Sequence, residues 1–308
     1  MDKIYDIVIL GGGPAGMTAS IYAKRAGLDV VVIEKTMPGG AVCNTAEVSN
    51  FPGFKTISGI DLATKMFEHT QQLDIPFVFD EVKKIRLEGN IKVVECFTET
   101  LKAYAVILAY GASVRKLGIE REKEYIGKGV SYCATCDGAL YKGETVALVG
   151  GGNTALEDAI YLSNIAKKVY LIHRRDEFRG EKVLQDEVFR KSNIELVLNS
   201  AVKNITGEKK IEKIEVENLV SHKTTSLAVG GLFVCIGRGP DTEILDFEIK
   251  KDAQGYIVTD QNMKTSIDGV YAVGDIRTTP LRQIITACAD GAIASTKSSE
   301  YIRNIKKK

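Results

Sequence analysis

A chain that twice sets three glycines in a row between an apolar run and a helix has few folds open to it. The first triplet begins Gly11-Gly12-Gly13-Pro14-Ala15-Gly16, after Ile7-Val8-Ile9-Leu10. The second begins Gly150-Gly151-Gly152-Asn153-Thr154-Ala155, after Val146-Ala147-Leu148-Val149. Both match the G-x-G-x-x-G/A spacing of a βαβ unit. In such a unit small residues let backbone N–H groups and a helix N-terminus approach a pyrophosphate. A lone match is weak. Two matches, each between a predicted strand and a predicted helix, point to two dinucleotide sites in an α/β protein.

The residues after the next strand separate the two sites. Val30-Val31-Val32-Ile33 ends in Glu34, an acid placed to accept a hydrogen bond from a free ribose hydroxyl, which suits FAD or NAD. Val169-Tyr170-Leu171-Ile172 ends in His173-Arg174-Arg175, with Arg179 just beyond. Cations there welcome a 2′-phosphate, which suits NADP. The plain alternatives are a solvated charge after the first strand and a solvated helix start after the second.

Between the two sites lies Cys133-Ala134-Thr135-Cys136, followed by Asp137. As half of a zinc site it lacks a second Cys or His pair at ligand spacing, so no metal is expected. As two inert core thiols it is too polar, with Tyr132 and Thr135 beside it. A redox pair fits best, since a short C-x-x-C loop closes readily to a disulfide and favours a reactive thiolate. Asp137 is placed to accept and return the proton that thiol–disulfide exchange moves, its plain alternative being a cap before Gly138. Two dinucleotides and a dithiol in one chain suggest electrons passing from a nicotinamide through a flavin to a disulfide.

Composition narrows the partners. The 308 residues predict roughly two domains, and a net charge of +1 gives no global pull toward nucleic acid or an anionic membrane. No apolar run reaches membrane-span length, and Met1-Asp2-Lys3 leads straight into a strand, so the expectation is a cytoplasmic protein with no membrane partner. Six cysteines in a chain of this size do not make a disulfide scaffold. Cys96 and Cys235 read as buried thiols, Cys43 falls in a flavin-side loop, and Cys288 stands alone. His69 and His222 read as surface residues, and Lys306-Lys307-Lys308 as a frayed helix end.

Along the chain, a βαβ unit runs from Tyr5 to Ile33, its helix beginning near Pro14 and ending at Gly27. A loop from Pro38 to Gly53 carries no periodicity and is long enough to be functional. Ile60 to Leu73 has helical spacing. Phe77–Phe79, Ile85–Leu87, Ile91–Phe97 and Ala103–Leu108 read as strands of a small antiparallel layer returning to a parallel sheet. A second βαβ unit spans Thr145 to Ile172. The strand Gly269–Val273 leads to Gly274-Asp275, and a helix follows from about Gln283. Sixty terminal residues hardly bury a core alone, so they are expected to complete the first domain. The fold expected is α/β: two Rossmann-like, three-layer ββα dinucleotide-binding domains, the second inserted in the first. Residues 1–113 and 242–308 would form the first and 114–241 the second, with crossings at Gly111-Ala112-Ser113 and Gly237-Arg238-Gly239-Pro240.

These residues together resemble bacterial low-molecular-weight thioredoxin reductase from Tyr5 to about Ser295. The resemblance rests on Gly11 to Gly16, Glu34, Cys133 to Gly138, Gly150 to Ala155, His173 to Arg179, Gly274-Asp275 and Arg282-Gln283. It implies FAD in the split domain, NADPH in the inserted domain, a homodimer, and thioredoxin as the protein disulfide reduced. On the flavin side it implies Gly11, Gly13, Pro14, Ala15, Gly16, Glu34, Gly39, Gly40, Thr45, Asn50, Ala109 and Gly111 as cofactor contacts. Asp275 would take the ribityl chain, next to Gly274, and Arg282, Gln283 and Ile284 would close over the cofactor. For NADPH it implies Gly150, Gly152, Asn153, Thr154, Ala155, His173, Arg174, Arg175, Arg179, Ile236 and Gly237. Family behaviour assigns Cys136 to the flavin and Cys133 to the partner, which the residues themselves do not order. The chain departs from the family pattern at Ala41, Tyr110, Arg238 and Cys288. One domain bears both the nicotinamide site and the cysteines, so alternation by rotation about the two crossings is expected. The nearest alternatives are a ferredoxin-dependent flavin thioredoxin reductase and a reductase of another thioredoxin- or glutaredoxin-like protein. Arg174, Arg175 and Arg179 argue against the first.

Overall fold

The structure is a computed structural model and describes residues 3–45 and 47–307. The chain parts into two compact units: the described residues of Met1–Ser113 with Gly239–Lys308, and Val114–Arg238. The first unit begins β1 (Ile4–Leu10), α1 (Pro14–Arg25), β2 (Val30–Glu34) and α2 (Gly59–Gln72). Pro14 starts α1, where its missing N–H costs nothing and its fixed φ suits the first turn. Ser58 caps α2 by accepting the Asp61 N–H at 3.1 Å.

Four strands follow: β3 (Phe77–Phe79), β4 (Val82–Glu88), β5 (Ile91–Cys96) and β6 (Thr100–Leu108). The sheet order is β3-β2-β1-β6-β5-β4. Phe77–Phe79 therefore does not belong to the antiparallel layer. It is a parallel edge strand, pairing Val32, Ile33 and Glu34 with Phe77, Val78 and Phe79. Three residues carry no period that separates the two cases. What decides is α2, whose crossover returns the chain parallel to β2.

The second unit starts at the crossing β7 (Ser113–Val114) and continues β8 (Val130–Ser131), α3 (Ala134–Asp137), β9 (Thr145–Gly150), α4 (Asn153–Ser163) and β10 (Lys168–Ile172). Next come α5 (Lys182–Arg190), β11 (Ile194–Val197), β12 (Ser200–Thr206), β13 (Lys213–Asn218), β14 (Thr224–Ala228) and β15 (Gly231–Cys235). A parallel sheet, β11-β10-β9-β15-β8, lies between two layers. On one face Val146, Leu148 and Phe233 pack with Ala155, Leu156 and Leu162 of α4. On the other, Ala147, Val149 and Leu232 pack with Val202, Ile214 and Val216 of the antiparallel β12–β14 sheet. That is the ββα sandwich expected of a dinucleotide unit.

The chain returns through β16 (Arg238–Gly239), which pairs with β7, to β17 (Val270–Ala272) and α6 (Ile284–Lys306). β6 is shared: Thr100–Ala103 pair antiparallel with β5, and Val106–Leu108 pair parallel with β17. The last residues thus complete the first sheet. Alternation along β1 sends Ile7 and Ile9 to the helical face, against Ala15 and Ala19 of α1 and Ala294 and Ile302 of α6. Val8 and Leu10 go to the opposite face with Ile85, Val94, Ile249 and Ile257. The chain end is not frayed at Lys306, whose Nζ pairs with Asp6 at 2.6 Å. Lys308 lies outside the described residues.

One buried cation sits badly in this core. Lys92, on β5, is only 2% exposed, and its Nζ meets the Tyr301 hydroxyl at 3.1 Å and the Asn90 carbonyl at 3.3 Å. Burial lowers its pKa from 10.5 to about 8, against a smaller opposing pull from Asp268. Below pH 8 the lysine is charged folded and unfolded, so the cost of burying it is present in full. Between about pH 8 and 10.5 the unfolded chain binds the extra proton, and stability from this group rises with pH. Lys92→Met, similar in volume and uncharged, is expected to raise the melting temperature at pH 7 by about 2 °C or more, a gain that shrinks toward pH 10. Calorimetry across that range checks it, and a melting temperature lowered at pH 7 overturns it.

Candidate active site

In the first unit, the loop between β1 and α1 is shaped for a close approach. Gly11 has φ +102°, and a Cβ there would lie 2.6 Å from the Ala109 carbonyl oxygen. A Cβ on Gly16 would collide with the Gly11 carbonyl, so the helix can begin there only with glycine. Gly13 differs, because a Cβ would meet nothing within 4 Å. The loop is closed beneath by protein and open at Gly13, as a backbone cradle for phosphate must be.

Glu34 is built into this cradle. Its Oε2 accepts the Gly12 N–H at 2.7 Å, and its Oε1 accepts the Thr36 N–H at 2.9 Å. A carboxylate has about four acceptor positions, and Oε1 also takes the Thr36 hydroxyl at 3.3 Å, so Oε2 is the oxygen that retains capacity for a ribose hydroxyl. The loop after β2 is tied in by the Gly39 N–H donating to the Gly12 carbonyl at 2.7 Å. Gly40–Asn44 forms a short 3₁₀ turn ending at Thr45. Val42, Val48 and Leu62 give this loop a small core of its own, joined by Phe51, Ile57 and Ile284.

Residues far apart in sequence meet here. The Asn50 amide donates to the Gln283 Oε1 at 3.0 Å, while Gln283 caps α6 reciprocally with Thr286. Arg282 stacks its guanidinium 4.1 Å from the centre of the Tyr256 ring. Gly274, φ +68°, opens the 3₁₀ turn that carries Asp275. Asp290, which sequence reading passed over, holds that turn. Its Oδ2 accepts the Gly274 N–H at 3.0 Å and lies 3.2 Å from the Arg277 Nε, with both side chains nearly buried. Burial raises the Asp290 pKa, and Arg277 opposes that rise.

Two departures from the family pattern have definite places. The Tyr110 side chain, next to the buried Ala109 and the Gly111 turn, packs on the sheet face away from α1 and α6. Burial pushes its phenol pKa up, with the Asp241 charge adding to it. The Cys288 thiol lies 3.9 Å from the Pro14 carbonyl at the start of α1, and burial raises its pKa.

The second unit repeats the cradle. A Cβ at Gly150 would crowd the Cys235 carbonyl and Ala155, one at Gly151 would collide with the His173 ring, and one at Gly152 would meet nothing within 4 Å. Asn153, at the start of α4, exchanges hydrogen bonds with Glu181, accepting its N–H at 2.8 Å and donating to its Oε1 at 2.8 Å. Thr154 is exposed beside it. The Arg179 N–H donates to the Gly151 carbonyl at 2.7 Å, which seats that arginine against the loop. Arg174, Arg175 and Arg179 are exposed and make no side-chain ion pair among the described residues. Three free cations beside an open glycine loop match a phosphate in addition to the pyrophosphate. His173 has a different part. It is buried under Gly151 and against Phe178, and burial lowers its pKa, the neighbouring arginines adding to this. It supports the loop as a neutral ring. Ile236 is half-buried and Gly237, φ +98°, is exposed, both just past the end of β15.

Also in the second unit, Cys133 and Cys136 are joined as a disulfide at the start of α3. Cys136 is exposed and Cys133 half-buried, and the Cys136 N–H points at the Cys133 Sγ from 3.2 Å. Asp137 is half-buried, and its Oδ2 accepts the Ser131 hydroxyl at 2.6 Å. The segment before the cysteines is tied down by a nearly buried carboxylate. Glu122 accepts the Tyr132 hydroxyl at 2.7 Å and the N–H groups of Leu117 and Gly118 at 2.9 and 2.8 Å. No residue near the pair signals this brace in sequence, because its partners lie up to ten positions away without periodicity.

The remaining thiols carry no second redox pair: Cys43, Cys96, Cys235 and Cys288 are free. Cys235 donates to the Asp158 Oδ2 at 3.0 Å, and burial raises both pKa values. Among the described residues no cluster of His, Cys, Asp and Glu could hold a metal ion, and no helix is long and apolar enough to cross a membrane.

Two glycine cradles and a C-x-x-C disulfide are the features by which a nicotinamide-linked disulfide reductase is recognised. Residues 5–291 match the family described as pyridine nucleotide-disulphide oxidoreductase. The chain belongs to that family. Its resemblance to the thioredoxin reductases within the family is borne out along its whole length. It is 41% identical over 306 residues to thioredoxin reductase of Listeria innocua, covering 99% of this chain and 96% of that protein. With thioredoxin reductase of Bacillus subtilis it shares 40% identity over 305 residues, again 99% and 96% of the two. The crystal structure of Lactococcus lactis thioredoxin reductase in its FR conformation superposes with a TM-score of 0.85 at 38% identity, over 97% of this chain and 99% of that one. The family implies a flavin and a nicotinamide nucleotide, and the two cradles have the openings to receive them.

The openings yield a test. Gly13 and Gly152 have extended backbones, φ −77° and −99°, that any residue adopts, and nothing lies where their side chains would go. Gly13→Val and Gly152→Val are therefore expected to fold with melting temperatures near that of the parent. The first should lose flavin binding and the second nicotinamide-nucleotide binding, each about tenfold or more, as titration would report. Unchanged binding by both would place the phosphates elsewhere.

Proposed function

We propose that this chain is an NADPH-dependent, FAD-containing thioredoxin-disulfide reductase. The balanced reaction is NADPH, a proton and the thioredoxin disulfide giving NADP⁺ and the thioredoxin dithiol. The observation that carries this reading is the disulfide Cys133–Cys136 in a unit whose glycine loop is flanked by three exposed, unpaired arginines. FAD, when bound, supplies the means of converting a hydride from the nicotinamide into two electrons for a disulfide.

Each part of the chain has a stated share. Gly11, Gly13 and Gly16 leave room for the flavin pyrophosphate, and Glu34 accepts from the adenosine ribose. Asp275 takes the ribityl hydroxyls, while Asn50, Arg282, Gln283 and Ile284 cover the site. Gly150, Gly152 and Ala155 seat the second pyrophosphate, and Arg174, Arg175 and Arg179 bind the 2′-phosphate. Cys133 attacks the partner disulfide, forming a mixed disulfide as one partner sulfur leaves. Cys136 then attacks Cys133, re-forming the internal disulfide and releasing the second partner sulfur. Asp137 accepts a proton from the attacking dithiol and returns one to the departing thiolate. We place the enzyme in the reducing cytoplasm as a homodimer, on the same family ground.

Anaerobic titration tests the reading. The purified protein should be yellow, lose its flavin colour with NADPH, and regain it when oxidised thioredoxin is added. Colour lost to reduced ferredoxin and not to NADPH would overturn it in favour of a ferredoxin-fed enzyme.

A further inference from the structure

We propose that Ser131 is the positioning residue for the proton carrier of the dithiol, an inference that rests on the reading of Asp137 given above. Ser131 is the last residue of β8, an edge strand held parallel to β15 by the pairing of Phe233 with Ser131. It is 4% exposed, so its hydroxyl has no bulk water to turn to. Three groups surround the oxygen. The Asp137 Oδ2 lies at 2.6 Å, the Cys133 N–H donates to it from 3.1 Å, and the Cys133 carbonyl lies at 3.2 Å.

A hydroxyl has a single hydrogen, so one acceptor must be chosen. The Cys133 carbonyl already accepts the Asp137 N–H at 3.2 Å, and the carboxylate is the shorter and charged partner. The hydrogen therefore goes to Asp137. Ser131 then receives from the backbone of the first cysteine and donates to the carboxylate of the acid, a chain of polarised bonds N–H···O–H···⁻O. Its effect is geometric. Asp137 sits in a helix of only four residues, too short to fix a side chain by packing, and next to the exposed Cys136. With Oδ2 tied to a rigid strand end, the carboxylate has a set direction. Its Oδ1 makes no hydrogen bond among the described residues and is the oxygen that exchanges protons with the sulfurs.

The same contact could serve only to shape the turn before Cys133. A double-mutant cycle on the holoenzyme separates the two roles, using Ser131→Ala, Asp137→Asn and the double variant. Ser131→Ala removes one oxygen, and flavin content with melting temperature shows whether each variant is folded. The NADPH-reduced enzyme is mixed with oxidised thioredoxin and the single-turnover rate followed, alongside the rate of flavin reduction by NADPH. Ser131→Ala is expected to slow thioredoxin reduction about tenfold while leaving flavin reduction by NADPH unchanged. In the Asp137→Asn background the same substitution should cost less than twofold, since the carrier it aims is already gone. An equal cost in both backgrounds assigns Ser131 to the turn alone and overturns the inference, leaving Asp137 in its role. A normal rate in Asp137→Asn overturns the reading of Asp137 and the inference with it.

Discussion

Serine in place of Cys133 or Cys136 is expected to abolish thioredoxin reduction, by about a thousandfold or more, while the protein still binds flavin and is still reduced by NADPH. The size follows from the chemistry. Thiolates are good nucleophiles and good leaving groups near neutral pH, whereas an alcohol is neither. No other cysteine can stand in. Cys43, Cys96, Cys235 and Cys288 each lack a partner thiol, and burial raises the pKa of every one. The two variants should also differ from each other. If Cys133 attacks the partner, Cys136→Ser leaves the attacking thiol without its resolving thiol, and a mixed disulfide with thioredoxin accumulates. Cys133→Ser should form none. Non-reducing gels separate the cases, and a reversed pattern exchanges the roles of the two sulfurs. Normal turnover by either variant would remove the disulfide from the electron path altogether.

What could be read beforehand, and what could not, divides by range. The glycine loops were legible because backbone demand is local. Gly11 needs its positive φ and Gly16 its missing side chain, whatever surrounds them. Glu34 and the three arginines were legible because the end of the second strand in a βαβ unit always falls beside the first glycine turn. Phe77–Phe79 was misplaced because a three-residue strand has no period of its own, and its pairing is set by the helix before it.

The supporting contacts were not legible at all. Asp290 lies 16 positions from the Gly274 it holds, and Asn50 lies 233 from Gln283. Ser131 is only six from Asp137, yet nothing in Val130-Ser131-Tyr132 marks it as more than a strand end. Such residues are common polar types at unremarkable spacings. Only the folded backbone brings their atoms within hydrogen-bond distance: the motifs that name Asn50 and Gln283 give no sign that the two meet, and Asp290 and Ser131 stand in no motif. Lys92 belongs with these. Its alternation with Ile91 and Val93 suggests an outward side chain, but α6 covers that face and Tyr301 meets the amine.

Neutralising Arg174 and Arg175 together is expected to weaken NADPH by about a hundredfold while changing NADH less than threefold. The two nucleotides differ by one phosphate, so the ratio of their efficiencies isolates what that phosphate contributes. A hydrogen bond to a charged group contributes about 1.5–3 kcal/mol, and two of them correspond to roughly a hundredfold or more at room temperature. Exposure works against the largest values, because both side chains are solvated and salt screens them. Working in their favour, neither has an ion pair to surrender among the described residues, so binding need not break a contact first. Their folded neighbour is also prepared: His173 lies beneath Gly151 with its pKa lowered, so at pH 7 it adds no positive charge beside the arginines. Arg179 is a different case. Its N–H braces the Gly151 carbonyl whatever its side chain, so Arg179→Ala should lose only the guanidinium contact and keep the loop. Raising the salt from low to high should narrow the preference of the parent enzyme for NADPH and leave that of the double variant unchanged. Equal efficiency with NADPH and NADH in the parent would remove the 2′-phosphate from these arginines and leave the second cradle to NADH.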